Sequence, residues 1–429
     1  MLGMLIFVLL LSKNHATGSI SMSNMSPGQP RSSADQVVAE RVVKRRPKNR
    51  KSTIAAVAAE SFGALGYHAV SMEDIAAKVD VSAAALYRHY PSKYALFRDA
   101  VLTLGGQLRA AATLPDEAAT WSAEQRIDWL LQSILSLTIT NRQSGALYRW
   151  EGRYLEGPDQ ALLREQVNGV HAAITQPVAE LRPELSPEDL SMLVAATLAI
   201  LGSITDHHAT LPPKALQKLI GNTCWTVLRS NLPSITDEEA SAEPAAEIPE
   251  TFKHELLLEK AIVLFHQRGY PEVGIDDIAT AAGLPPSGVY RYYRSKADIL
   301  TAAFRRAADR VSAAIPVAVA QSSDSREALT RLVDLYVTSA FAQSELTFVY
   351  YSEIGNVPPQ ERSTLRNIQR LNVEEWARLL TDTRPELSAR QARFLVHAAL
   401  GLVVDVGRLL RFDKSPSSEG RVQLLMLRV

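Results

Sequence analysis

The chain has 429 residues, 46% hydrophobic and 21% charged, which suits two or more globular domains and excludes disordered or collagen-like architectures. The 46 basic residues balance the 46 acidic ones, so any nucleic-acid footprint has to be local. A single cysteine, Cys224, excludes an intrachain disulfide and a multi-cysteine metal site; it reads as a small buried apolar group in a reducing cytosol.

The opening "MLGMLIFVLLLSK" has the length of a signal h-region, but no basic segment precedes it and no clear cleavage site follows. It is also far too short to span a membrane. An over-extended translation start is expected, with Met22 or Met25 as candidate true starts, and residues 1–40 are set apart as a disordered or mis-assigned extension. The run "RVVKRRPKNRK" follows, where Lys44, Arg45, Arg46, Lys48, Arg50 and Lys51 can reach an adjacent phosphate or minor groove. A solvated tail is the bland alternative.

Apolar residues recur at helical spacing from Ile54 to Leu65, and Gly66 is placed as the left-handed stop. In "SMEDIAAK", Ser71 is a good N-cap, and Glu73 and Asp74 favour the helix dipole. "KVDV" then breaks the pattern and Ser82 caps a third helix. Two short helices joined by a three- or four-residue turn predict a helix-turn-helix. The third helix is the one able to enter a major groove. Ala83 and Ala84 are small enough to admit base edges, Tyr87, Arg88 and His89 offer hydrogen bonds, and Lys93 offers a phosphate contact. With the capping Ser71 and Ser82 they form the first candidate DNA-binding set. The competing reading makes Leu86 and Tyr90 core and the rest an ordinary polar face.

Downstream, Ile127, Leu130, Leu131, Ile134 and Leu137 follow the spacing of a core-facing helix. "SPEDLSMLVAATLAILGSI" carries Ser186 as N-cap and Pro187 at N1, and its apolar content on all sides predicts a helix buried on more than one face. "NLPSITDEEASAEPAAEIPE" reads as a linker. No stretch sustains strand alternation, so the fold class is all-α.

Self-comparison then shows a whole-subunit repeat. At an offset of 203, Phe62, Gly66-Tyr67, Asp74-Ile75-Ala76 and "LYRHYPSK" meet Phe265, Gly269-Tyr270, Asp277-Ile278-Ala279 and "VYRYYRSK". At 202, Tyr148, Glu151 and Leu163-Arg164 meet Tyr350, Glu353 and Leu365-Arg366, and "RPELS" recurs. In the second copy Pro286, Ser287, Tyr290, Arg291, Tyr292 and Lys296 are the matching DNA-binding candidates.

The segment "SMEDIAAKVDVSAAALYRHYPSKYALF" resembles the DNA-binding segment of the TetR family of bacterial transcriptional regulators, and "GIDDIATAAGLPPSGVYRYYRSKADIL" resembles it again. The resemblance implies two tandem modules, each a three-helix head on a helical ligand-binding and dimerisation body. The expected divisions are 41–100 and 251–303 for the heads, 101–230 and 304–429 for the bodies, and 231–250 for the linker. It further implies a ligand-responsive regulator, more readily a repressor, bound to a double-stranded DNA operator and released by a small-molecule effector.

Because family members usually act as dimers, the duplication predicts an intrachain pseudo-dimer, in which helices 188–206 and 214–229 pack against 389–411 and 419–428. Further pairing of two chains stays open. The second head lacks the basic arm, opens its recognition helix with Pro285-Pro286 and contains Gly288. Loss of the Ser cap and an interior glycine each weaken a short helix by ~1 kcal/mol. Unequal grips on an asymmetric operator follow as the expectation, with a second head that no longer binds DNA as the alternative. Tyr148, Trp150 and Arg153, and Phe348, Tyr350 and Tyr351, are the candidate pocket residues, with ordinary packing an equal reading. The bodies resemble regulators of lipid and acyl-thioester metabolism, pointing to a greasy effector.

No H-E-x-x-H, G-x-S-x-G, phosphate loop or dinucleotide fingerprint occurs, and neighbouring His207-His208 cannot share a metal from one helix face. No enzyme activity, metal, cofactor or membrane partner is expected, and the location expected is the cytoplasm, with the nucleoid. A protein-interaction module remains the competing class, distinguished by absence of salt-dependent DNA affinity.

Overall fold

The computed structural model describes residues 50–234 and 252–429. The N-terminal extension, the arm residues Lys44, Arg45, Arg46 and Lys48, and most of the linker lie outside them. The described residues form α-helices and short 3-10 turns, with no strand among them.

The first module begins with α1 (Arg50–Leu65), α2 (Met72–Lys78) and α3 (Ala83–Tyr87). α1 starts one turn ahead of the apolar pattern and stops at Gly66, whose φ of 85° only glycine adopts without strain. Ser71 opens α2 with a capping box: its Oγ accepts from Asp74 N at 3.0 Å, and the Asp74 carboxylate accepts from Ser71 N at 2.9 Å. Ser82 Oγ accepts from Ala85 N at 3.2 Å and starts α3. The turn between α2 and α3 passes through Asp80 at φ 54°, and the equivalent residue of the second copy is Gly283 at φ 65°.

α4 (Lys93–Ala111), α5 (Ala123–Thr140), α6 (Ala146–Trp150), α7 (Gly157–Leu181), α8 (Pro187–Ser203) and α9 (Pro213–Leu228) complete the module. α4 runs straight through residue 100. Its Leu96, Phe97 and Val101 belong to the head core, whereas Leu108 belongs to the body core, so head and body share a rigid strut.

The second module repeats this order with α10 (Lys253–Arg268), α11 (Ile275–Ala281), α12 (Pro286–Val289), α13 (Lys296–Ala320), α14 (Ser325–Ala342), α15 (Ser344–Glu353), α16 (Pro359–Thr383), α17 (Ala389–Leu409) and α18 (Pro416–Arg428). Each head has its own core, but one core serves both bodies. It is continuous because α8 packs along α17 and α9 meets both α17 and α18. α8 buries residues around its whole circumference, as its apolar composition predicts.

Buried charge crosses the same seam. Arg149 donates to Asp206 at 2.8 Å and to Asp405 of the other module at 2.6 Å. Gly202 makes the room, since a Cβ there would lie 2.8 Å from the Arg149 guanidinium. Arg421 of α18 pairs with Asp189 of α8. No helix of the described residues is long and apolar enough to cross a membrane.

Candidate nucleic-acid interface and its junction with the bodies

In the first head, Ser82, Ala84, Tyr87, Arg88 and His89 are exposed and Ala83 is half-buried, while Leu86 and Tyr90 sink into the core. Tyr87 keeps 47% of its surface open although it lies one residue from a fully buried leucine. Lys51 is exposed on α1 with its ammonium 5.1 Å from the centre of the Tyr90 ring, and Arg50 opens that helix. Ser71 serves α2 as its cap.

In the second head Pro286, Ser287, Tyr290, Arg291 and Tyr292 are exposed, with Tyr290 at 58%. α12 is only four residues long and has no side-chain cap, because Pro285 stands where Ser82 stands in the first copy. The two recognition helices thus differ in length, cap and the side chains they present.

Lys93 and Lys296 turn inward to the turn before α2 and α11. Lys93 Nζ donates to His68 O at 3.3 Å and lies 4.6 Å from the centre of the Tyr67 ring. Lys296 Nζ lies 2.7 Å from Tyr270 O, 2.7 Å from Val273 O and 3.4 Å from Pro271 O. An ammonium has three donors, so Lys296 has none left for a phosphate in this arrangement. Its partial burial lowers its pKa.

The heads are fastened to the bodies by a matched pair of glutamates. Glu151 accepts from Tyr67 N at 2.7 Å and Glu353 accepts from Tyr270 N at 3.1 Å. Both carboxyls are buried. Burial pushes Glu151 up to about 7 although Arg153 and the Tyr67 N–H favour its anion, and burial raises Glu353 against the same kind of opposition. Arg153 joins the two junctions: its guanidinium lies 3.1 Å from Glu353 and donates to Ser352 O at 2.9 Å. Leu65, at the end of α1, also meets the second module at Gly355, where a Cβ would come within 3.0 Å of Leu65 O.

A cavity of about 120 Å³ opens within the second body, lined by residues of α13 to α17. Of the six pocket candidates, Tyr350 and Tyr351 line it. Tyr148 packs between the first head core and the body core, and Phe348 packs against the second head core. Trp150 lies behind Tyr351, stacked on it at 5.4 Å. Arg153 is engaged at the junction. A volume near that which holds a benzene ring, about 150 Å³, is small beside the hundreds of Å³ usual for ligand pockets.

The family pattern described as "Bacterial regulatory proteins, tetR family" matches residues 54–100 and 257–303, the two heads whose geometry has just been given. The chain belongs to the tetR family, with its subunit present twice. This tetR-family chain is 22% identical over 205 residues to the HTH-type transcriptional activator FasR of Mycolicibacterium smegmatis, covering 45% of the chain and 93% of that protein. It is 30% identical over 118 residues to the HTH-type transcriptional repressor KstR2 of Rhodococcus jostii, covering 28% and 57% respectively. The crystal structure of a TetR-family transcriptional regulator from Bordetella parapertussis aligns at 21% identity and a TM-score of 0.37, over 41% of this chain and 93% of that one. The tetR-type heads make the chain a DNA-binding transcriptional regulator.

Glu151 and Glu353 recur between the copies, yet read from sequence they are ordinary helix-surface or pocket residues. The signal that places them is their joint recurrence with Gly66-Tyr67 and Gly269-Tyr270, the turns whose N–H groups they hold.

Proposed function

We propose that this tetR-family chain is a ligand-responsive repressor that acts as a single-chain pseudo-dimer on an asymmetric operator. The observation that carries the reading is the single core shared by both bodies, which ties two unlike heads together within one polypeptide. Two heads that read successive major grooves must stand about 34 to 36 Å apart. A small hydrophobic effector that repacks the bodies changes that spacing and lowers operator affinity. Relatives of both signs exist, so reporter expression with and without the chain is the check on repression.

The unequal heads support an anchoring first head and a weaker second one, since α12 is short and uncapped and Lys296 is held by carbonyls. The deciding experiment is DNA binding to the region flanking its own gene at two salt concentrations, with footprinting and the mass of the complex. The expected result is one chain on a non-palindromic site, with affinity falling steeply as salt rises. Two chains on a palindrome would mean that only the first head reads DNA, and salt-independent or absent binding would favour a protein-interaction role. Replacing Tyr87 and Arg88 by Ala should weaken binding more than replacing Tyr290 and Arg291 by Ala; equal losses refute unequal grips.

A further inference from the structure

The two bodies differ where the cavity lies. At the 202-residue offset that aligns α5 with α14 and α7 with α16, the lining residues Tyr336, Asn372 and Trp376 correspond to Ile134, Val170 and Ile174. Those three aliphatic side chains are at most 1% exposed and belong to the packed core, so at these positions the first body offers aliphatic packing where the second offers aromatic and amide lining. Tyr351 corresponds to Arg149, which is held by Asp206 and Asp405.

The lining also states what the cavity accepts. Tyr336, Tyr350, Tyr351 and Trp376 supply aromatic walls, Asn372 supplies a hydrogen-bonding amide, and Arg310 is the one charged lining residue. Arg310 places a positive charge in the lining and no lining carboxylate offsets it, which disfavours a cation. Its size suits one ring and leaves no room for a long acyl chain.

Tyr351 faces two ways. It lines the cavity, and it stacks on Trp150 of the first module with centroids 5.4 Å apart and planes 28° from parallel. Trp150 donates its indole N–H to Asp206 at 3.2 Å, and the next residue, Glu151, holds the Tyr67 N–H of the first head. Two residues beyond Tyr351, Glu353 holds the Tyr270 N–H of the second head. A close-packed aromatic pair cannot deform continuously, so a shift of Tyr351 has to repack Trp150.

We propose that the chain takes one compact single-ring ligand, neutral or singly anionic, in the second body alone, and that Tyr351 conveys its binding to the first head through Trp150. The inference rests on the ligand-responsive reading above. One ligand then reaches both heads, through Glu353 within its own module and through Trp150 and Glu151 across the seam.

The test uses the full chain labelled with 5-fluorotryptophan, whose five tryptophans are assigned by Trp→Phe variants, titrated with phenol, benzoate and 4-hydroxybenzoate. The expected result is saturation at one equivalent by at least one probe, with the Trp376 and Trp150 resonances moving together and those of Trp121, Trp129 and Trp225 still. Trp150→Leu, and Trp150→Met should the first variant fold poorly, should keep one-site binding and the Trp376 shift. Each should reduce the ligand's effect on DNA affinity from about 10-fold to below about 2-fold. Saturation at two equivalents, a Trp376 shift without a Trp150 shift, or no binding of any probe would overturn the proposal. DNA affinity of the ligand-free chain separates the two readings. Salt-dependent binding with failed ligand arms sinks this inference alone, whereas absent DNA binding sinks the regulator reading and leaves the resonances to decide the site.

Discussion

His207, just after α8, and His397 of α17 stack face to face across the seam between the modules, with ring centroids 4.0 Å apart and planes 6° from parallel. Arg142 lies against the pair, its guanidinium 3.3 Å from His207 Nδ1 and donating to His207 O at 2.7 Å, and Phe394 meets the His207 ring edge-on. Burial, the neighbouring imidazole and Arg142 all disfavour protonation of His207, and burial with Arg142 holds His397 down at about 4.

Both folded-state pKa values lie below those of the unfolded chain, so below pH 6.5 the unfolded chain binds more protons and stability falls. Urea unfolding at pH 5 should show about 2 kcal/mol less stability than at pH 7.5 from His397 alone, with His207 adding a further loss of the same sign. His397→Phe should flatten the dependence between those two pH values. An unchanged slope in the variant would show that other groups carry it.

Glu151 has the opposite sign. Its folded pKa of about 7 exceeds the unfolded value, so its contribution is full below about pH 4.5 and is lost as pH rises through 7. Glu151→Gln keeps an acceptor for Tyr67 N–H and should stabilise the chain at pH 8 relative to the parent. Glu151→Leu leaves that N–H unpaired and should cost about 1–3 kcal/mol, read by denaturation at pH 6.

The left-handed turn residues predict a reciprocal pair. Gly283→Ala places a Cβ at φ 65° and should destabilise the second head by about 1 kcal/mol. Asp80→Gly relieves the same conformation at φ 54° and should leave the first head unchanged or up to about 1 kcal/mol more stable. Hydrogen exchange of α2 and α11 amides reads each head separately.

Arg149→Met should cost about 3–5 kcal/mol, because it strands the carboxylates of Asp206 and Asp405 without their counter-charge. The loss should appear in global unfolding and in faster amide exchange along α8 and α17, the helices that carry the seam.

What the sequence determined by itself is local. The serine caps at residues 71, 82 and 186, the glycine stop at 66 and the 3.6-residue apolar period act within a few residues of where they stand, so the helices, the two heads and the repeat are legible from them. The weak start of α12 was legible for the same reason, since Pro285 replaces a cap. Tertiary structure alone decided the rest. Lys93 and Lys296 read as free phosphate contacts, but the backbone carbonyls that draw them inward belong to the turns before α2 and α11, more than twenty residues away. Glu151 and Glu353 become head anchors only when the turn N–H groups approach them in space. Trp150 and Tyr351 are both pocket candidates by composition, yet one lines the cavity and the other backs it from the opposite module. These assignments depend on which groups are desolvated together, and that is set by how helices some 200 residues apart share one core.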